Sequence, residues 1–123
     1  MKLWRSERGA AAVEFALVVP ILLALLLGII EFGRAYNAQI SLTHAAREAA
    51  RTMAITNVWT DAVTHGVGAA PSLDLESGDF APSLTTCTPG QQIQVTVTQD
   101  LQTITGLVDD LALTGKASMR CGG

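Results

Sequence analysis

The residue types that most often carry out chemistry are few in this chain and poorly arranged for catalysis. The two histidines, His44 and His65, lie in no recognisable catalytic setting, and the sequence has neither a glycine-rich phosphate loop nor a nucleophile elbow. Asp109 and Asp110 are adjacent, so on a strand their carboxylates would point apart, which is more typical of a turn than of a general acid and base. We therefore expect a protein that is not an enzyme and that uses no cofactor.

Composition argues against two classes of binding partner, nucleic acids and small molecules. The chain has 123 residues, enough for one small domain, and its net charge of −3 predicts no basic face for nucleic acid. Aromatic residues make up only 5%, although hydrophobic residues reach 49%. The apolar content is concentrated near the N-terminus, and we expect neither nucleic acid nor a small-molecule substrate as a partner.

One acidic residue, Glu14, lies inside the apolar run from Ala10 to Ile30. As a helix this run would span about 30 Å, the thickness of a bilayer core. Its thirteen Leu, Ile, Val and Phe residues contribute on the order of −4 to −8 kcal/mol to insertion, against about +2.5 to +3.5 for a central acid. The run is therefore predicted to be a transmembrane helix.

Two other interpretations of the apolar run are weaker. A cleaved secretory signal would be followed by small residues in an A-x-A arrangement, whereas residues 31–36 read EFGRAY. A buried core helix that is apolar on every face would need a larger surrounding protein. Lys2, Arg5 and Arg8 in the preceding flank favour a cytoplasmic N-terminus and an extracytoplasmic C-terminus.

A carboxylate one turn inside a membrane helix is usually functional or paired, although an acid near the end of a span can also reach the headgroups. Glu14 is the fifth residue after Gly9, where a short basic leader ends. Residues 8–20, RGAAAVEFALVVP, and residues 28–36, GIIEFGRAY, closely resemble the TadE-like proteins, pilin-like components of tight-adherence (Tad, or Flp) pilus systems. The resemblance is dense over residues 8–55.

This resemblance implies processing by a prepilin-type peptidase. The enzyme would cut after Gly9, remove the leader and leave Ala10 as the new N-terminus, with Glu14 as the pilin-like fifth residue, followed by Phe15 at the subunit assembly position. Pairing of the new ammonium with a carboxylate offsets part of the desolvation of both, and a pair between neighbouring subunits would fix their register.

The helical pattern continues through residues 31–56, so residues 10–56 are predicted to form one helix, kinked at Pro20. Ala24 and Gly28 form a small-xxx-small pair that marks a candidate helix contact, although the motif is common by chance. One face of the stem is predicted to be apolar and the other charged; the apolar positions are Ile40, Ala46, Ala49, Met53 and Ala54, and the charged positions are His44, Arg47, Glu48 and Arg51.

The remaining residues predict a small head with an antiparallel sheet packed on the stem, which makes the fold class α+β. A helix is expected over Val58–Val67, ended by glycines and Pro71, and a loop over residues 71–90. Strands are expected in three segments, Gln92–Thr98, Thr103–Val108 and Leu111–Arg120. The domain organisation is therefore a leader (1–9), a transmembrane helix (10–30), an amphipathic stem (31–56) and a head (57–123).

Cys87 and Cys121 bracket the predicted sheet and lie on its extracytoplasmic side, where a disulfide is expected. Closing this loop would stabilise the head by about 3–4 kcal/mol. Free thiols and a metal site remain alternatives, but zinc would need His44 and His65 as well, and that spacing matches no known arrangement. We expect no metal.

Together these features predict a minor pilin or pseudopilin-like subunit that acts in pilus assembly and surface adherence. The alternative is a membrane-anchored assembly factor that is not incorporated into the filament. The partners implied by the resemblance are a prepilin-type peptidase, other Tad subunits and inner-membrane assembly proteins, and the lipid bilayer. The expected location is the inner membrane with a periplasmic head, or the pilus itself.

Overall fold

A computed structural model describes residues 2–106 and 108–122, with side chains from Glu7 onward. The elements are helix α1 (Lys2–Thr56), helix α2 (Trp59–Ala69), a short 3-10 turn (Ser77–Asp79) and three strands, β1 (Phe80–Pro82), β2 (Gln92–Leu101) and β3 (Leu111–Arg120). The predicted α+β class is confirmed. The chain forms two compact units, Met1–Gly33 and Arg34–Gly123, and α1 contributes to both.

The first unit consists of the N-terminal part of α1. The predicted helix over residues 10–56 is confirmed, and it begins further upstream, at Lys2. Ala and Leu, which have high helix propensity, dominate this stretch. Pro20 lies inside the helix, where its ring nitrogen has no hydrogen to donate to the carbonyl of Ala16. The predicted kink at Pro20 stays a prediction.

In the second unit, α1 supplies one wall of the core. The buried face is built mostly from alanine, and its members are Ala38, Leu42, Ala45, Ala46, Ala49, Ala50, Met53 and Ala54. Ile40 was predicted on this face but is 44% exposed, so that assignment is wrong. Two residues correspond to about 200° around a helix, so Ile40 lies nearly opposite Leu42. His44, Arg47 and Arg51 are exposed, as the charged face requires.

The sheet is antiparallel with strand order β1–β2–β3. Strand β2 alternates as predicted, and its buried side chains pack into the core with α1: Ile93, Val95 and Val97. The strand predicted at Leu111–Arg120 is confirmed as β3, and β2 extends three residues beyond the predicted Thr98. In the register, Val95 lies opposite Ala117.

The strand predicted at Thr103–Val108 is wrong for the residues that the structure describes; Leu107 lies outside them. This segment is part of the β2–β3 connection. The Thr103 hydroxyl donates to the carbonyl of Val108 at 2.8 Å, and Gly106 has φ +65°, a conformation that turns the chain. A local side-chain hydrogen bond thus replaces strand pairing.

The loop predicted over residues 71–90 contains β1, which sequence patterning did not show. Its three residues are too few to display alternation, and the strand depends on tertiary contact. Phe80 is buried and pairs in register with Val97. The ring also packs closely on α2, as shown by the distance of 2.5 Å between a Cβ built on Gly66 and Phe80 Cε1.

Gly66 and Gly68 were expected to end α2, but the helix continues through both to Ala69.

The predicted disulfide between Cys87 and Cys121 is confirmed, with a Cα–Cα distance of 5.4 Å. The cysteines bracket the β2–β3 hairpin rather than the whole sheet, since β1 precedes Cys87. Next to the disulfide, Asn57 ends α1 with φ 54°, and its side-chain oxygen accepts the Cys87 amide at 2.7 Å. The Gly122 amide donates to the carbonyl of Ala54 at 3.1 Å. The base of the hairpin is therefore joined to the end of α1.

Gly115 tests the close contact between sheet and helix. A Cβ at this position would lie 2.6 Å from the carbonyl carbon of Leu42, a backbone atom that cannot rotate away. We expect Gly115→Ala to destabilise the second unit by about 2–3 kcal/mol, through overpacking. Urea unfolding in detergent micelles, followed by near-UV circular dichroism, measures this.

The matched control for Gly115 is Gly68→Ala in α2, where a Cβ would meet no heavy atom within 4 Å. Alanine favours a helix, so this control should be neutral or slightly stabilising. Equal stability of the two variants would contradict the proposed backbone contact between β3 and α1.

Candidate membrane and assembly segment

The apolar segment, residues 10–30, is helical throughout and carries its side chains on the surface. Val19 is half-buried within the described structure, and the other residues of the segment are exposed. In water this arrangement would be unfavourable, since each large apolar side chain loses about 1.5–3 kcal/mol when it is left exposed. In a bilayer a helix satisfies its own backbone and lipid solvates its side chains. The segment is therefore built for an apolar surrounding.

A membrane span is supported by helix length as well as by exposure. Within the part of the chain that the structure describes, one helix is long and apolar enough to cross a bilayer, and its span is Glu7–Thr56. The apolar side chains lie toward its N-terminal end. These features are consistent with a single-pass anchor.

Helix α1 brings Ala10 and Glu14 onto one face, because residues four apart lie one turn above each other. Phe15 is the next residue, about 100° further round, and its ring is exposed. The Glu14 carboxylate is the one ionisable group in residues 10–30. A positive charge at the backbone nitrogen of Ala10 would therefore lie on the same helix face as a negative side chain.

The peptide bond between Gly9 and Ala10 lies within regular helix. A peptidase that binds its substrate as an extended chain would have to unwind this turn first. Glycine lowers the free energy needed, since it is about 1 kcal/mol less favourable than alanine in a helix interior. A Cβ at Gly9 would meet no heavy atom within 4 Å, so packing within the chain does not require glycine here.

Ala24 and Gly28 also lie one turn apart on exposed helix surface. A Cβ built on Gly28 would likewise meet no heavy atom within 4 Å. The adjacent residues are leucines and Ile29, so the two small residues form a shallow depression in an otherwise bulky surface. Such depressions let the backbone of a second helix approach closely.

The described residues that were considered for catalysis or metal binding do not form one site. Cys87 and Cys121 are joined in the disulfide, and His65 lies beside Glu48, Arg51 and Asp61 in an open groove of about 270 Å³ between α1 and α2. Asp109 and Asp110 lie in the β2–β3 connection. Among the described residues, no group of three or more His, Cys, Asp or Glu side chains is placed to hold a metal ion.

Two polar residues of α1 have a positioning role that the sequence did not reveal. The Gln39 side-chain amide donates to the carbonyl of Thr114 on β3 at 2.7 Å. The Arg34 guanidinium donates to the carbonyl of Gln102 at 3.3 Å. Both partners are backbone atoms more than 60 residues away, so no local pattern could have indicated them. Together they hold the hairpin along α1.

Part of the chain is similar to a known protein family. A family model described as TadE-like protein matches residues 9–51, which include Gly9, Glu14 and Gly28. No curated protein and no solved structure matches the chain. The matched range agrees with the resemblance found in residues 8–55. Residues 9–51 are therefore similar to the TadE-like proteins, a family associated with Tad pilus systems.

Proposed function

We propose that this chain is a minor pilin or pseudopilin-like subunit of a tight-adherence pilus. The observation that carries the proposal is a single exposed carboxylate, Glu14, in the otherwise apolar segment of residues 10–30, which falls within the TadE-like match. Residues 10–30 anchor the chain in the inner membrane, with a cytoplasmic N-terminus and residues 57–123 on the periplasmic side. The role is structural: the chain assembles with other Tad subunits and contributes to surface adherence.

Maturation begins with a prepilin-type peptidase that unwinds the turn at Gly9 and cuts before Ala10. The cut removes the basic leader and leaves an ammonium at the start of the helix. That ammonium is poorly solvated at the membrane boundary, and a carboxylate one turn away is its nearest source of opposite charge. A negative side chain in the first turn is further stabilised by the helix dipole.

Assembly pairs the helices of neighbouring subunits. An ammonium at Ala10 of one subunit meets Glu14 of the next, and the pair sets their axial register, because moving either partner leaves an uncompensated charge in an apolar surrounding. Phe15, beside this carboxylate, supplies apolar contact area at the same level. Further along the helix, Ala24 and Gly28 allow close approach of a second backbone. The charge pair fixes the axial register of the two helices, and the small residues set the distance between them.

The first prediction concerns processing at Gly9. Intact mass and N-terminal sequencing of protein purified from its own cells, without reducing agent, should give a chain that begins at Ala10 and has lost both thiol hydrogens. Gly9→Ala should leave the helix intact, since its Cβ meets nothing, and should retain Met1. Gly33→Ala is the matched control, because its Cβ is equally unobstructed and it lies beyond the cut.

A wild-type chain that still begins at Met1, in cells with an active prepilin peptidase, would contradict the processing step. The membrane-anchored assembly factor would then be the better description.

The second prediction concerns Glu14. Glu14→Gln keeps the size of the side chain but leaves the partner ammonium unpaired, which costs about 3–5 kcal/mol when the site is desolvated. We expect the amount of this protein in sheared pili to fall by at least about 100-fold, as the lower end of this range implies. Membrane retention should be unchanged. Glu7→Gln, in the leader that processing removes, is the control.

Normal incorporation of Glu14→Gln into pili would refute the register role of Glu14. A wild-type protein found only in the membranes of piliated cells would favour the assembly factor.

The third prediction concerns Gly28. Gly28→Ile fills the depression without touching the rest of its own chain, so the fold should be preserved. Energy transfer between donor- and acceptor-labelled copies in phospholipid vesicles should decrease several-fold. Leu27→Ile, the adjacent volume-conserving change, should have little effect. Equal energy transfer for both variants would show that helix association does not use this face.

A further inference from the structure

The β2–β3 connection presents apolar side chains on a closed loop. We refer to residues 102–106 and 108–110 as the hairpin loop; Leu107 lies outside the described residues and is not part of this definition. Ile104 is 57% exposed and Val108 is 62% exposed. The loop is held by the hydrogen bond from the Thr103 hydroxyl to the carbonyl of Val108. Exposed apolar residues on an ordered loop indicate an interaction surface more strongly than the same residues on a flexible chain, because less ordering entropy is lost on binding.

Four contacts fix where the hairpin loop lies along α1. Three are hydrogen bonds, which join Gly122 to Ala54, Thr114 to Gln39 and Gln102 to Arg34. The fourth is the packing of Gly115 against the backbone of Leu42. The hairpin therefore runs along the helix, with its disulfide-bonded base toward the C-terminal end of α1. The hairpin loop lies at the opposite end, beside Arg34, where the second unit begins.

Arg34 holds the hairpin loop close to the end of the apolar segment. Arg34 is four positions after Ile30 in the sequence, so even a fully extended chain keeps their Cα atoms within about 14 Å. This bound holds for any angle between the two units. If Ile30 marks the edge of the hydrocarbon core, the loop is tethered within reach of the headgroup layer. Tyr36, 62% exposed, is an amphipathic aromatic of the kind found at membrane interfaces.

We propose that the hairpin loop is a second membrane contact, inserting Ile104 and Val108 into the headgroup layer of the bilayer that anchors the chain. The inference rests on the proposed anchoring by residues 10–30. Two apolar side chains are far too few for a stable protein–protein interface, which takes about 20–30 residues on each side. They suffice for a membrane surface, because the anchor already holds the loop at high effective concentration.

Charge selects the kind of lipid. Asp109 and Asp110 adjoin the apolar tip and are exposed, so anionic headgroups would repel this part of the loop. The proposed partner is therefore a zwitterionic phospholipid surface. Contact there restricts how the folded second unit can turn above the bilayer before it meets other subunits.

The test places a fluorophore on the hairpin loop of the full chain. Ile104→Cys is labelled with nitrobenzoxadiazole under non-reducing conditions, which leaves the native disulfide closed. The labelled protein is reconstituted into phosphatidylcholine vesicles. The matched control is Gln94→Cys, an exposed position on β2 seven residues before Leu101, hence about 23 Å away along the strand. Nitroxide lipids labelled near the headgroup report lipid contact, iodide reports water, and vesicle flotation reports anchoring.

We expect nitroxide lipids to quench the label at position 104 and iodide to reach it several-fold less than the label at position 94. Adding Val108→Ser to Ile104→Cys should reduce the lipid quenching, and adding phosphatidylglycerol should not increase it. Equal behaviour of the two positions in protein that floats with vesicles would overturn the loop contact while leaving the anchor intact. Shielding from iodide without lipid quenching, dependent on protein density, would indicate a second copy as the partner instead. Protein that fails to float would overturn the anchoring and, with it, this inference.

Discussion

The close approach of β3 to the backbone of α1 is the constraint on which the second unit depends. Gly115 lies directly against the Leu42 carbonyl, and this contact is possible only because β3 has no side chain there and α1 presents alanines on either side. Larger residues would push the sheet outward and open voids around Val95 and Val97. Small residues at the centre and β-branched residues on the sheet together give a dense core from a short chain.

This constraint explains why α1 changes character along its length. Residues 10–30 carry bulky apolar side chains on nearly every face, whereas beyond Arg34 one face is mostly alanine and charged residues occupy the other. The first pattern suits a solvent of lipid chains, and the second suits a helix with protein on one side and water on the other. The TadE-like match at residues 9–51 covers both patterns and ends near the last turns of the core face. The matched region thus contains the surface that organises the sheet, but not the sheet itself.

Sequence patterns predicted the features that depend on local periodicity. The helix over residues 10–56, the alternation in β2 and the pairing of the only two cysteines needed no knowledge of distant contacts.

The wrong predictions share a cause in tertiary structure. Strand β1 is held by the packing of the Phe80 ring against Gly66. The same packing explains why a glycine is present inside helix α2. The segment after Leu101 is apolar enough for a strand, yet Thr103 bonds to Val108 across the turn. At the candidate site, the family resemblance implied roles for Gly9 and Glu14, and the spacing of small residues indicated Gly28. The long-range hydrogen bonds made by Arg34 and Gln39 have no signal in the sequence.

The covalent closure of the hairpin also has a mechanical meaning. Incorporation into a pilus, as proposed above, would place the second unit under tension, and a domain under tension lengthens by the contour length of the chain that it releases. The cysteines are 34 residues apart in sequence but their Cα atoms are 5.4 Å apart, so about 120 Å of extended chain is withheld from stretching. Peeling strands β2 and β3 from the helix would therefore add little length. Load would pass instead through the short path from Cys87 and Gly122 into the last turn of α1, which the Asn57 side chain and the Ala54 carbonyl hold in place.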